Sequence, residues 1–186
     1  DVAGALAALL EARARDDRVV VPALRVLDLL FSRAGLGAEA GPAARGPLPS
    51  RLLALVKAET KMCKDIPKLC ACVQVLCHLI GAEEPARSGA LSSLLLLLCN
   101  RYPKVRKYSA EQLYARLLSS EGEELWPGVG EDTLDDVIDK LMGTRWDQPV
   151  ESIRAARNEL YAPFGLSPPK AVEGGKGGSG EAAKVV

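Results

Sequence analysis

The sequence has few aromatic residues, a single histidine and no net charge. Aromatic residues make up 4% of the 186 residues, whereas leucine and alanine are abundant, and this favours helices over strands. The 24 basic and 24 acidic side chains cancel, which argues against nucleic-acid binding, since that usually needs a basic surface. The leucine-rich run at residues 90–99 is too short for a membrane-spanning helix, which needs roughly 20 residues. We therefore expect no membrane insertion.

The residue types that usually carry catalysis or bind metals are also sparse. His78 directly follows Cys77, and neighbours on a helix point about 100° apart, so they cannot form a nucleophile–base pair. We expect His78 to cap the carbonyls at the end of a helix. Five cysteines are present, at positions 63, 70, 72, 77 and 99. Their spacing fits small buried thiols better than a zinc site. We predict no catalytic residue, metal or cofactor, with a thiol- or zinc-dependent enzyme as the alternative.

Apolar residues recur at helical spacing along most of the chain, and no segment alternates as a strand does. The clearest stripe consists of Ile66, Leu69, Cys70, Val73, Leu76, Cys77 and Ile80. Prolines, glycines and capping residues such as Asp65 divide the pattern. We predict helices at 2–15, 20–34, 49–61, 65–80, 86–101, 103–120, 132–143 and 148–164. The predicted fold is all-α, an α-solenoid of about four helical hairpins of the HEAT or armadillo type.

Domain organisation follows from composition. Residues 1–168 are predicted to form one HEAT-like helical domain, with a flexible Gly/Pro-rich loop at 35–49. Residues 169–186 are rich in glycine and poor in large apolar side chains, so we predict a disordered tail. The first ten residues are already patterned as a helix, and we expect the domain to be a fragment of a larger solenoid.

The segment "LLLLLCNRYPKVRKYSAEQLYARLL" at 94–118 has the layout of a HEAT hairpin. We expect the five leucines to be buried on all sides and Arg106 to reach back to a neighbouring repeat. Arg101, Lys104, Arg106 and Lys107 crowd the turn between the two helices, whereas residues 121–136 are acidic. Two interpretations stay open for these charges: solvated turns, or a docking surface that steers an acidic protein partner.

Two tryptophans lie in predicted turns. Trp126 follows an acidic stretch and precedes a proline, and we expect it to cover a helix end or to anchor a partner. Trp146 precedes a predicted helix and is expected to pack against its first turns. Packing is the favoured role for both.

Three segments carry a family resemblance: residues 94–118, "KDIPKL" at 64–69 and "TRWDQPVESIRAARNELYAPFGLSPP" at 144–169. They resemble the C-terminal part of the tubulin-folding cofactor D family. The matching pattern is a "CxxxPxxRK" turn, a "QxYxxLL" helix, a "WD" turn and an "RxxRNxL" helix. The resemblance covers about residues 50–168, is looser before them and is absent from the tail. The matching residues are Cys99, Pro103, Arg106, Lys107, Gln112, Tyr114, Leu117, Leu118, Trp146, Asp147, Arg154, Arg157, Asn158 and Leu160.

The resemblance implies a non-catalytic chaperone and scaffold. Members of the family capture β-tubulin and, with cofactors E and C and an ARF-like small GTPase, assemble the αβ-tubulin heterodimer and take part in GTPase activation. The implied location is cytoplasmic, with association with the cytoskeleton or centrosome. Since tubulin is acidic, the basic turn is a candidate contact. The candidate protein-binding residues are Arg101, Lys104, Arg106, Lys107, Trp146, Arg154 and Arg157. The alternative is a generic HEAT-repeat scaffold of the transport-receptor or phosphatase-subunit type.

Overall fold

The computed structural model describes residues 2–34, 46–119, 126 and 128–169. Within these residues the chain is helical and contains no strand, so the all-α prediction is confirmed. All but the first residue of the predicted tail at 169–186, and residues 35–45 of the predicted loop, lie outside the described residues. The part of that loop that is described ends early, because the next helix already begins at Leu48.

Eight α-helices and one short 3-10 helix are present in the described part of the chain. They are α1 (Val2–Ala12), α2 (Asp17–Ala34), α3 (Leu48–Thr60), α4 (Ile66–Leu79), α5 (Ala86–Leu97), α6 (Pro103–Leu118), α7 (Glu131–Gly143), α8 (Val150–Glu159) and the 3-10 helix Ala162–Phe164. Helix α1 is shorter than predicted because Arg15, just beyond it, has a left-handed φ of 64°, which a helix cannot contain. The last predicted helix is split into α8 and the 3-10 helix, which ends at Gly165 with φ 67°.

Alternate helices form two layers. Helices α1, α3 and α5 lie side by side in one layer, and α2, α4 and α6 lie side by side in the other. Each pair α1–α2, α3–α4 and α5–α6 also packs across the layers. This is the arrangement expected for stacked helical hairpins, because no single pair can bury its own apolar face.

Helix α4 lies at the centre of the stack, in contact with α2, α3, α5 and α6. It is therefore buried on nearly all sides, and residues outside the predicted stripe such as Cys72, Val75 and Leu79 are inaccessible. The Asp65 side chain caps α4 as predicted, because its Oδ1 accepts the Lys68 N–H at 2.7 Å. The five consecutive leucines occupy positions 94–98, at the end of α5 and just after it, and Leu96 among them is 46% exposed. The expectation that all five are buried was wrong at that position.

The last helical pair reverses the order of the layers. Helix α7 follows α6 along the chain and packs directly against it. The segment after α8 lies on the α5 side, where Phe164 packs edge-on against Trp126 at 4.9 Å between ring centroids. The guanidinium of Arg87, at the start of α5, lies 5.9 Å from the Trp126 ring centroid. Trp126 is thus a packing residue that closes this end of the stack.

Candidate protein-binding surface

The turns within successive hairpins lie along one edge of the molecule. The turn between α1 and α2 contacts the turn between α3 and α4, because the Arg15 N–H donates to Glu59 Oε1 at 2.8 Å. The starts of α4 and α6 are neighbours, since Pro67 and Lys104 line the same groove. The turn before α6 contacts the turn between α7 and α8 through Arg106. We call this the hairpin-turn edge; it comprises residues 13–18, 60–68, 98–107 and 144–149.

Arg106 joins two of these turns through hydrogen bonds. Its side chain is 3% exposed and donates to four backbone carbonyls: those of Asn100 at 2.8 Å, Trp146 at 2.7 Å, Asp147 at 3.1 Å and Gln148 at 2.6 Å. It therefore reaches forward to the following hairpin, and the predicted backward direction was wrong. Because its buried guanidinium group donates to these carbonyls, Arg106 does not present a charge to a partner.

Two other predicted binding residues are also in the interior. Trp146 is 4% exposed, and its indole N–H donates to the Leu141 carbonyl at 2.8 Å. This hydrogen bond ties the turn after α7 to the end of that helix. Arg157 is 5% exposed; it donates to the Tyr161 hydroxyl at 3.3 Å and lies over the Tyr161 ring. These two side chains stabilise the packing around α7 and α8 and are too buried to contact a partner.

The other four predicted residues are exposed. Arg101, Lys104 and Lys107 lie on the hairpin-turn edge, and Arg154 lies on α8. Arg101 stacks on Tyr102, with its guanidinium carbon 4.7 Å from the ring centroid. The predicted set therefore divides into an exposed cationic group and a buried structural group.

The structure adds cations that were not predicted. Arg13, Arg15 and Arg18 lie in or just after the turn between α1 and α2; Lys61 and Lys64 lie in the turn between α3 and α4; Arg145 lies in the turn after α7. All six are exposed. They are far apart in sequence, and only the stacking of the hairpins brings them to one edge. A pattern of basic residues in every second turn was the signal that could have revealed them.

A buried ion network holds the first two turns together. Lys68 is 4% exposed and pairs with Asp17 at 2.6 Å and with Glu59. Burial by itself would lower the pKa of Lys68, but the hydrogen bonds and charges of Asp17 and Glu59 raise it above its ordinary value. The network borders a cleft of about 470 Å³ that is also lined by Lys61, Met62 and Lys64.

Two of the five cysteines, Cys72 and Cys77, are buried, and His78 contacts an acidic residue of another helix. Burial raises the pKa of Cys77 to about 12 and raises that of Cys72 as well, so these thiols stay protonated near neutral pH. His78 does not cap a helix end through carbonyls as predicted. Its Nε2 lies 2.8 Å from Asp28 Oδ1 and 3.4 Å from Ser32 Oγ. Both contacts use the same ring nitrogen, whereas a catalytic triad needs one on each nitrogen.

No group of three or more potential metal-ligating side chains is close enough to hold an ion in the described ranges. None of the helices described here is both long and apolar enough to cross a bilayer.

One family model matches roughly the first third of the chain. Residues 1–68 match the family model described as tubulin folding cofactor D C terminal. This stretch is therefore similar to that family. The resemblance stated from the sequence is confirmed at the family level, although the match covers α1 to the start of α4, where the resemblance was looser. The motifs at 94–118 and 144–169 lie outside it. No solved structure matches the chain.

Proposed function

We propose that this chain is a non-catalytic scaffold of the tubulin-folding pathway whose exposed hairpin-turn edge contacts β-tubulin. The family match over residues 1–68 carries the proposal. Cofactors E and C and an ARF-like small GTPase are the further partners in this proposal, with GTPase activation arising in the assembled complex. The proposed location is the cytoplasm.

The fold supports a binding role. Stacked helical hairpins form extended, rigid surfaces whose turns are aligned, and such surfaces are used to hold other proteins. Three of the predicted basic residues are exposed on the hairpin-turn edge, where they are positioned to attract an acidic protein. Electrostatic steering of this kind raises the rate of association and weakens as salt is added.

The charge at the start of α6 also supports a partner. Lys104 lies in the first turn of α6, and that turn contains no acidic residue. A cation there opposes the helix dipole at a cost of about 0.3–1 kcal/mol. The fold gains nothing evident from this exposed charge, whereas an acidic partner does.

The test is binding of the purified 186-residue chain to immobilised β-tubulin, with cofactor E and the ARF-like GTPase as parallel ligands. We expect saturable binding to β-tubulin that Lys104→Glu weakens by about threefold to tenfold, since the loss of one attraction and the gain of one repulsion are each worth up to about 1 kcal/mol. Arg33→Glu is the matched control. Arg33 is exposed at the end of α2, away from the edge, and the substitution changes the net charge equally. No binding to any of the three proteins, with helicity intact, refutes the proposal.

A further inference from the structure

We infer that the whole hairpin-turn edge, and not only the turn before α6, is one continuous binding surface for an extended acidic polypeptide segment. The inference rests on the proposed function for its context and goes beyond it in the extent of the surface and the form of the partner.

The first observation is that exposed cations occur on every turn of the edge. They are Arg13, Arg15 and Arg18 on the first turn, Lys61 and Lys64 on the second, Arg101, Lys104 and Lys107 on the third, and Arg145 on the fourth. Of these nine, only Arg145 forms an ion pair with a residue in the described part of the chain, with Asp147 at 3.7 Å. The other eight charges are therefore available to a ligand at this edge.

The acidic side chains on this edge, and Glu59 next to it, make local contacts. Asp17 and Glu59 pair with the buried Lys68. Asp65 accepts the Lys68 N–H, and Asp16 Oδ1 accepts the Arg18 N–H at 3.3 Å. These carboxylates serve the turns and helix starts of the fold. Apart from Arg145, the exposed cations form no ion pair with a carboxylate in the described part of the chain, so the edge presents a positive surface on a chain whose formal net charge is zero.

The opposite edge exposes several acidic residues in the described part of the chain. Glu83 and Glu84 are exposed in the turn before α5, and Glu131 and Asp132 are exposed at the start of α7. Arg33, at the end of α2, is also exposed there. A chain of zero net charge can thus present a positive hairpin-turn edge, and a surface of one sign steers partners of the other sign.

The geometry favours an extended ligand. Neighbouring helices pack about 8–10 Å apart, so four successive turns span on the order of 30 Å. A fully extended chain covers about 3.3–3.6 Å per residue, and a segment of about nine or ten residues therefore reaches from Arg15 to Arg145. Such a ligand meets cations along its full length, whereas a short peptide meets those of one turn.

The apolar groups on the edge indicate a polypeptide and not a nucleic acid. Met62 is 86% exposed at the tip of the second turn and is held there by a left-handed φ of 59°. Met142 is 62% exposed and lines a groove of about 300 Å³ with Lys107 and Arg145. Methionine adapts to varied apolar side chains of a protein partner. Single-stranded nucleic acids instead favour exposed aromatic side chains for stacking, and Tyr102, Tyr108 and Trp146 are partly or fully buried here.

The experiment uses the 186-residue chain and two labelled probes, a twelve-residue oligoglutamate with one central leucine and a four-residue oligoglutamate. We expect the longer probe to bind at least tenfold more tightly at low salt and to weaken as salt is added. Lys64→Glu, on the second turn, should weaken the longer probe by about threefold to tenfold. Arg33→Glu is the control with the same change of net charge and should alter the affinity less than twofold.

The outcomes separate this inference from the proposed function. If β-tubulin binds and Lys104→Glu weakens it, but Lys64→Glu and Arg33→Glu leave both ligands equally bound, the continuous edge is wrong and the proposed function stands. If the long probe binds in the expected manner and β-tubulin does not, the edge stands and the proposed partner is wrong. Equal affinity for the two probes, or tighter binding of a twelve-nucleotide single-stranded DNA, overturns the inference.

Discussion

Replacing Arg106 by alanine tests how the third and fourth hairpins are joined. The side chain donates to four carbonyls on two turns, at 2.6–3.1 Å, and it is 3% exposed. Hydrogen bonds from a charged group contribute about 1.5–3 kcal/mol each, but four bonds from one group are not additive and water can replace some of them. We expect a loss of about 3–5 kcal/mol, comparable to breaking a buried charged network.

The loss should be visible in both global and local measurements. A domain of this length changes its melting temperature by about 2–4 °C per kcal/mol, so Arg106→Ala should lower it by roughly 6–20 °C. Arg106→Lys should recover part of the loss, because an ammonium group has three donors but lacks the planar fork. Hydrogen exchange should accelerate first in residues 144–149 and in α8.

Lys107→Ala is the matched control for this prediction. Lys107 is the next residue on α6 and is exposed, so its removal should change the unfolding free energy by no more than about 0.5 kcal/mol. Urea unfolding followed by circular dichroism measures all three variants. If Arg106→Ala and Lys107→Ala have the same stability, Arg106 does not join the turns and the reasoning is refuted.

Four further predictions concern the first two hairpins. Lys68→Ala leaves Glu59 buried without its cation and should cost about 3 kcal/mol in urea unfolding; a cost below 1 kcal/mol contradicts the network. Because the folded-state pKa of Lys68 is raised, its contribution should persist from neutral pH to about pH 10 and disappear only above that, as the lysine loses its proton; loss already at pH 8 contradicts this sign. Met62→Gly relieves a left-handed backbone at an exposed residue and should leave stability unchanged or raise it by up to about 1 kcal/mol, and a lower melting temperature refutes it. A double-mutant cycle with Asp28→Ala and His78→Ala should give a coupling of about 0.5–1 kcal/mol, and zero coupling shows that the contact does not join α2 to α4.

Local sequence signals predicted most of the helices. Pro103 at the start of α6 and the Asp65 cap of α4 are determined by neighbouring residues alone, since a missing N–H or a side-chain acceptor acts within one turn. Burial around α4 was underestimated, because an apolar stripe describes one face of a helix and α4 is covered from four directions. The sequence does not reveal the left-handed conformation of Arg15, because glycine, and not arginine, is the residue that favours it.

The candidate surface was predicted only in part, for a related reason. Arg101, Lys104, Arg106 and Lys107 are adjacent in sequence and were grouped as one basic turn. Arg106 is buried, unlike the other three, because it donates to the carbonyls of residues 146–148, which are about forty residues away. Likewise, the partner of His78 is Asp28, fifty positions earlier. Contacts between distant segments depend on how the hairpins stack, which periodicity does not specify.

Whether the hairpin-turn edge contacts β-tubulin is tested most directly by the affinity of the 186-residue chain for β-tubulin at low and at high salt. The affinity is measured for the native sequence, Lys104→Glu and Arg33→Glu. We expect saturable binding that weakens with salt, a threefold to tenfold loss of affinity for Lys104→Glu and less than a twofold change for Arg33→Glu. Binding that ignores salt and is equal in all three proteins, or no binding by a fully helical chain, would contradict it.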